Sequence, residues 1–312
     1  MRQLAWYNRS SRKIMENNRN FYGGIMKNTP LFGPGGNGDA FYAAGHKSTL
    51  DAPAFIAGYG LDAYEYEAGN GLSASDDALR KVGEAAAAHG VSMSFHAPYF
   101  ISLASLDPEK RKKSIGYIET SLRAASLLGA KTIVVHMGGV AKMPREEGMR
   151  YSAETLYDLL DTVPDNGVTI GLETMGKINQ LGTLDEVLML CAMDRRLAPV
   201  VDFGHLNARE CGAGGYRTRD DYMRTFDAIA CALGDNAAIN LHSHFSKIEY
   251  TNAGERRHLT FEDMQYGPDF EPLMEAIAEL RVNPTIICES AGTQAEDALA
   301  MKRCYERISE NR

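Results

Sequence analysis

Cysteine is sparse in this 312-residue chain, at five residues. They are Cys191, Cys211, Cys231, Cys288 and Cys304, odd in number, confined to the C-terminal half and without a CxxC pair. The pattern excludes a disulfide framework and argues against zinc held by thiolates. It predicts small buried apolar residues in a reduced, cytoplasmic compartment. Apolar runs of about eighteen residues are absent, so no membrane span is expected. Residues 1–25 lack the apolar middle of a secretory signal. They are mildly basic, carry the single tryptophan, Trp6, and precede Met26. We expect an N-terminal appendage over 1–25 and one domain over 26–312, because no stretch rich in Pro, Gly or Ser divides the rest. A basic surplus is missing too. The formal net charge of -8 argues against a general polybasic binder of nucleic acid or membrane, while leaving room for a local basic rim.

Apolar material is ample, with hydrophobic residues at 44% and charged residues at 24%, enough for a full core. It is arranged in short runs separated by helical stretches. The runs are PLFG (30–33), AYEYEA (63–68), SMSFHA (92–97), TIVVHM (132–137), TIGLET (169–174), PVVDFG (199–204), AINLHSH (238–244) and TIICES (285–290). Helical patterning lies between them over 76–88, 108–128, 153–160, 184–193, 220–233 and 270–280. Such alternation is the signature of βα units and a parallel sheet. No Gly-x-Gly-x-x-Gly turn follows the first run, so a (β/α)8 TIM barrel in the α/β class is expected rather than an open doubly wound sheet.

Polar residues close these runs where a core should continue. His96, His136, Glu173, Asp202, His205, His242, His244 and Glu289 all follow apolar residues at or just beyond the C-terminal strand ends. A buried ionisable group is costly to desolvate unless it is partnered. Mutual pairing explains one or two of them with difficulty and the whole set poorly. Divalent ions partner all of them, since neutral imidazole and ionised carboxylate are ligands for zinc, manganese or iron. The C-terminal strand ends are also where barrel enzymes place their active sites. His46 and His89 have no such company.

This combination resembles the endonuclease IV family, zinc-dependent barrel nucleases of abasic-site repair, from about Leu31 to Glu289. FHAPYFISLAS resembles the family's His-x-x-Tyr-x-x-x-Leu segment, with His96 as first ligand and Tyr99 as a DNA-facing aromatic. IVVHMGG supplies His136, GLETMG the metal-bridging Glu173, VVDFGH the pair Asp202 and His205, and CESAG the final Glu289. HSHF supplies His244 in preference to His242, because His244 lies nearer the strand's C-terminal end. The resemblance implies one metal on His96, His136 and Glu173, and a second on Glu173, Asp202, His244 and Glu289. His205 and His258 would belong to a third. The family completes that third site with Asp-x-His, but this chain reads GERRH, so the aspartate is missing and Glu255 is the available substitute.

The resemblance therefore implies hydrolysis of DNA at abasic sites with two or three zinc ions, Mn2+ or Fe2+ being alternatives. Glu173 and Glu289 would be the central carboxylates. Lys247, Arg256 and Arg257, on what reads as an exposed loop after the seventh strand, either meet a phosphate backbone or are simply solvated, and Arg257 is taken as a substrate contact. The alternative is a single-metal isomerase or epimerase acting on a sugar or sugar phosphate. There Glu173 and Glu289 would flank a carbon acid while Asp202 and His244 held the ion. His96 with His136 favours the nuclease, because a one-metal enzyme has no need of a second histidine set. GPGGNGD after the first run is either a tight turn or a phosphate cradle. GHKST lacks the spacing of a nucleotide loop. No obligate protein partner is inferred.

Overall fold

A computed structural model describes residues 29–140, 142–212 and 215–311. The expected appendage over 1–25, with Trp6 and Met26, lies outside the described residues. Eight parallel strands alternate with helices. In chain order the elements are β1 (Leu31–Pro34), α1 (Asp39–Ala43), α2 (Ala52–Gly58), β2 (Ala63–Glu67), α3 (Asp76–His89), β3 (Ser92–His96), α4 (Pro108–Leu128), β4 (Thr132–Val135), α5 (Arg145–Thr162) and β5 (Thr169–Glu173). They continue with α6 (Leu184–Cys191), β6 (Leu197–Asp202), α7 (Phe203–Arg209), α8 (Arg219–Leu233), α9 (Asp235–Ile239), β7 (His242–Phe245), β8 (Lys247–Thr251), β9 (Gly254–Leu259), α10 (Glu271–Leu280), β10 (Thr285–Cys288) and α11 (Gln294–Glu310).

The sheet runs β1-β10-β7-β6-β5-β4-β3-β2. Its two edges meet, which closes the barrel. Asp62 N donates to Phe32 O at 2.9 Å and Gly36 N to Glu65 O at 3.0 Å, and Gly35 bridges Glu65 in parallel. The seam requires Gly33, since a Cβ there would sit 1.7 Å from the Ala63 carbonyl oxygen. Helix starts follow local chemistry. Ser75 accepts from Ala78 N, and Asp76 and Asp77 complement the positive helix end of α3. Thr183 and Glu186 form a reciprocal capping box on α6.

Both faces of every barrel strand are covered, one by helices and one by the opposite strands. On β2 and β3, Tyr66 and Phe95 are register partners with stacked rings, on the helix side. The alternate residues Glu65, Glu67, Ser94 and His96 therefore face inward. The helical stretch expected over 153–160 extends over the whole of α5, and α1, α2, α7, α9 and α11 were not expected from the sequence. The stretch after β7 is not a loop. It is the antiparallel hairpin β8–β9, with a register shift between Glu249 and Tyr250. Among the described residues, no helix is long and apolar enough to cross a membrane.

Candidate metal centre

At the C-terminal end of the barrel lies a cavity of about 710 Å³, lined by His96, Tyr99, His136, His205, Glu255, His258 and Glu289 among others. A hollow of about 750 Å³ at the opposite end is no smaller, but Asp194, Arg195 and His242 in its wall form no convergent donor set. Chemistry, not size, puts the site at the upper end.

Glu173, the last residue of β5, is fully buried and faces two ways. Its Oε2 lies 2.7 Å from His136 Nε2 and 3.5 Å from His96 Nε2. Its Oε1 lies 3.1 Å from His244 Nδ1 and 3.4 Å from His205 Nδ1. The His96 ring is fixed from behind, because its Nδ1 meets Ala97 O at 2.8 Å, which leaves Nε2 for the cavity. Asp202 ends β6 and caps α7, its Oδ1 accepting from His205 N at 2.8 Å. That cap sets His205 one turn into the helix, 3.2 Å from Asp202 Oδ2. His244 Nδ1 also lies 3.4 Å from Glu289 Oε1, at the end of β10. The hairpin contributes the rest, with Glu255 Oε2 3.5 Å from His205 Nε2, and His258 Nδ1 2.9 Å from Ser246 Oγ.

Three donor groups result, each with its ligand atoms within 4.8 Å of one another: His96, His136 and Glu173; Glu173, Asp202, His244 and Glu289; and His205, Glu255 and His258. These are the groupings that the family resemblance implies, with Glu255 in the place of the missing aspartate. Two more sets involve residues that sequence reading passed over: Glu65 with His242 and His244, and Glu65 with Glu67 and Glu289. Tyr99 stands at the mouth, its ring 5.0 Å from His96 and 5.2 Å from His136, its hydroxyl donating to Glu67 Oε2 at 3.3 Å. Arg257 is not brought to the cavity. It pairs with Glu249 at 2.6 Å on the hairpin, as Arg256 also does. Lys247 is buried against Asp263 O at 2.6 Å and the Asp269 carboxylate at 3.2 Å.

The electrostatics fit a cation. Burial pushes against every charge here, and at some groups the neighbours outweigh it while at others they do not. Among the carboxyls, His136 and His244 hold Glu173 well below its usual range, and His244 takes Glu289 down to about 2. Burial prevails at Asp202, which rises to about 6 despite His205, and at Glu67, pushed up to about 7 with help from Glu65 and Glu289. Among the imidazoles, Glu67 and Glu173 raise His96 to about 10, and His205 and His244 are held well above their usual value by facing carboxylates. His136 alone is lowered, by burial. Imidazoles shifted up in this way favour the charged form where a divalent ion would otherwise supply the charge, so metal uptake should release protons. The polar atoms agree. Glu173 Oε2, Asp202 Oδ2, Glu65 Oε1 and His244 Nε2 are buried without an aligned hydrogen bond. Buried polar atoms are normally satisfied, and oxygen and imidazole nitrogen left over in such clusters suit an ion.

Comparison with known proteins gives the same frame. A family model described as xylose isomerase-like TIM barrel matches residues 53–304. An uncharacterised protein of Methanocaldococcus jannaschii is 29% identical over 250 residues, covering 80% of this chain and 88% of its own length. A probable endonuclease 4 of Thermoplasma acidophilum is 29% identical over 219 residues, 67% of this chain and 74% of that protein. Among solved structures, a D-tagatose 3-epimerase-like protein matches with a TM-score of 0.66 at 21% identity, over 85% of this chain and 97% of that one; likeness at that identity shows the fold alone. The family match runs from α2 to α11 and takes in every strand that carries a donor residue, so this chain belongs to the xylose isomerase-like TIM barrel family.

Proposed function

We propose that the protein is a metal-dependent phosphodiesterase of endonuclease IV type that incises DNA at abasic sites. The observation that carries this reading is the number of donor groups in one cavity. Glu173, Asp202, His244 and Glu289 by themselves would serve a one-metal sugar enzyme. His96 with His136 on one side, and His205 with Glu255 and His258 on the other, are more donors than one ion takes, and a one-metal enzyme would spend such positions on substrate contacts. Zinc is the ion expected for His-rich, carboxylate-bridged sets, with manganese or iron as substitutes.

Bound ions would supply Lewis acidity, acidifying an attacking water and neutralising charge on the phosphate and the leaving 3′-oxygen. The chain's own residues supply position. Glu173 would couple the first two groups through its separate oxygens, as its distances to His136 and His244 support. Asp202 and Glu289 would complete the second group and keep His244 oriented. His205 and His258 would present the third ion to the same phosphate. Tyr99, half-exposed at the mouth, offers an aromatic face to the sugar or base beside the lesion.

One observation favours the sugar isomerase or epimerase as a second reading. Lys177 is the one lysine or arginine among the described cavity-lining residues, and Glu67 adds a carboxylate beside Glu289. Such a wall suits hydroxyl groups better than phosphates. The deciding assay uses one metal-loaded preparation on a duplex with a single abasic site and on a panel of ketoses and aldoses. Incision is the expected result. Interconversion of a sugar without incision would overturn the nuclease reading in favour of the second.

A further inference from the structure

Below the three donor groups, a fully buried carboxylate crosses the barrel interior. Glu65 rises from β2 and meets β7, although β1 and β10 separate these strands around the wall. Its Oε2 accepts from Ser94 Oγ at 2.7 Å and lies 3.0 Å from His242 Nε2. Its Oε1 lies 2.9 Å from His244 Nε2, each the other's nearest charged partner, and neither atom has an aligned hydrogen bond to any group. The opposite edge of the same imidazole, Nδ1, faces Glu173 Oε1 at 3.1 Å and Glu289 Oε1 at 3.4 Å. One ring therefore touches the donor group with one nitrogen and Glu65 with the other.

A neutral imidazole carries a single N–H, and the partner that takes it decides which nitrogen keeps a lone pair. We propose that Glu65 is a positioning residue, accepting the Nε2–H of His244 so that the Nδ1 lone pair is committed to the group formed with Glu173, Asp202 and Glu289. His242 and Ser94 hold the carboxylate from the other side, so that it can neither turn upward into the cavity nor leave His244. Glu65 thus acts through His244 and touches no substrate. The inference rests on the metal-binding reading above but not on the choice between nuclease and sugar enzyme, since both place His244 on an ion.

The test compares zinc-loaded full-length protein with Glu65→Leu, which keeps the volume and removes the acceptor, and Glu65→Gln, whose amide oxygen still accepts from Nε2–H. Zinc affinity is read by competition with a chromophoric chelator, ion number by elemental analysis, and the His244 tautomer by imidazole 15N shifts. Glu65→Leu should weaken zinc by about 10–100-fold with the ion number at saturation unchanged. It should also shift the Nε2–H signal of His244, whose proton loses its carboxylate acceptor, and Glu65→Gln should restore both. If Glu65→Leu does not fold, Glu65→Asp withdraws the acceptor by one methylene while keeping the charge, and the same weakening is expected. Unchanged affinity and an unchanged Nε2–H signal in Glu65→Leu would overturn the proposal. So would saturation at one ion fewer, which would make Glu65 a ligand itself. Wild-type protein that takes up no zinc would instead remove the metal reading on which the proposal rests.

Discussion

The carboxylate of Glu173 is the residue on which the two buried donor groups meet, because each oxygen faces a different pair of imidazoles. A glutamine has one acceptor oxygen and one NH2, so it can serve one side only. Glu173→Gln should lower turnover by at least about 100-fold and loosen ions on both sides, measured by kinetics and by metal content after dialysis. Loss of a single ion with activity retained would show that the oxygens do not act together. The donor residues at the barrel strand ends were legible because each closes an apolar run where a charge needs a partner, whereas Glu255 and His258 on the hairpin came only from the family resemblance. Glu65 and Glu67 were not legible. In AYEYEA the glutamates alternate with tyrosines, a pattern that reads as a solvent-facing edge of a strand. Inside a barrel the alternate face is the lumen, and a carboxylate in phase with Ser94 and His96 must point there.

At the scale of elements, the strands and most of the helices between them could be read from period, but the closing helix α11, of 17 residues, and the β8–β9 hairpin were not. GERRHL has no apolar alternation, since its pairing holds it over the mouth without burying it in the core. Its tip is pinned at Gly254, which has φ +89° and where a Cβ would lie 2.2 Å from Gly176 O. Gly254→Ala should destabilise the hairpin by about 1–3 kcal/mol and shift Glu255 and His258 away from His205. The third ion should then be the first lost on mild chelation, with the other two retained. Equal loss of all ions would count against an independent third site. A second element contact sets acid stability. Arg145, opening α5, holds Glu186 of α6 at 2.7 Å, and with the N–H groups of Gly182 and Thr183 it takes that carboxyl down to about 2 in spite of burial. A carboxyl lowered in the fold stabilises it above its unfolded value near 4.5, and that contribution fades as pH falls towards 2. Wild type should therefore exceed Glu186→Gln by on the order of 1–2 kcal/mol above about pH 5, with the gap closing in acid, by denaturant unfolding at stepped pH.

For the whole molecule, the barrel carries its acidic surplus inward as well as outward. Glu65, Glu173, Asp202 and Glu289 crowd its upper lumen, opposed by imidazoles that must keep their protons for charge to balance. On the metal-centre reading, the fold's stability should depend on ions. A ligand that binds the native state alone stabilises it by about 4 kcal/mol at a thousandfold excess over its dissociation constant. For a chain of this length such a gain corresponds to a rise in Tm on the order of 10 °C. Removing metal by dialysis against a strong chelator should lower Tm by that order, and the loss should grow as pH rises above the ordinary imidazole range towards the raised values of this cluster, about 10 for His96, where protons can no longer replace the ions. Readdition of zinc should reverse it and acidify an unbuffered sample, because each imidazole that becomes a ligand sheds its proton. Calorimetry with and without chelator at two pH values reads the first effect, and a pH electrode reads the second. A chelator-insensitive Tm at both pH values would mean that the imidazole and carboxylate clusters are self-sufficient ion pairs, and that the cavity is not a metal centre.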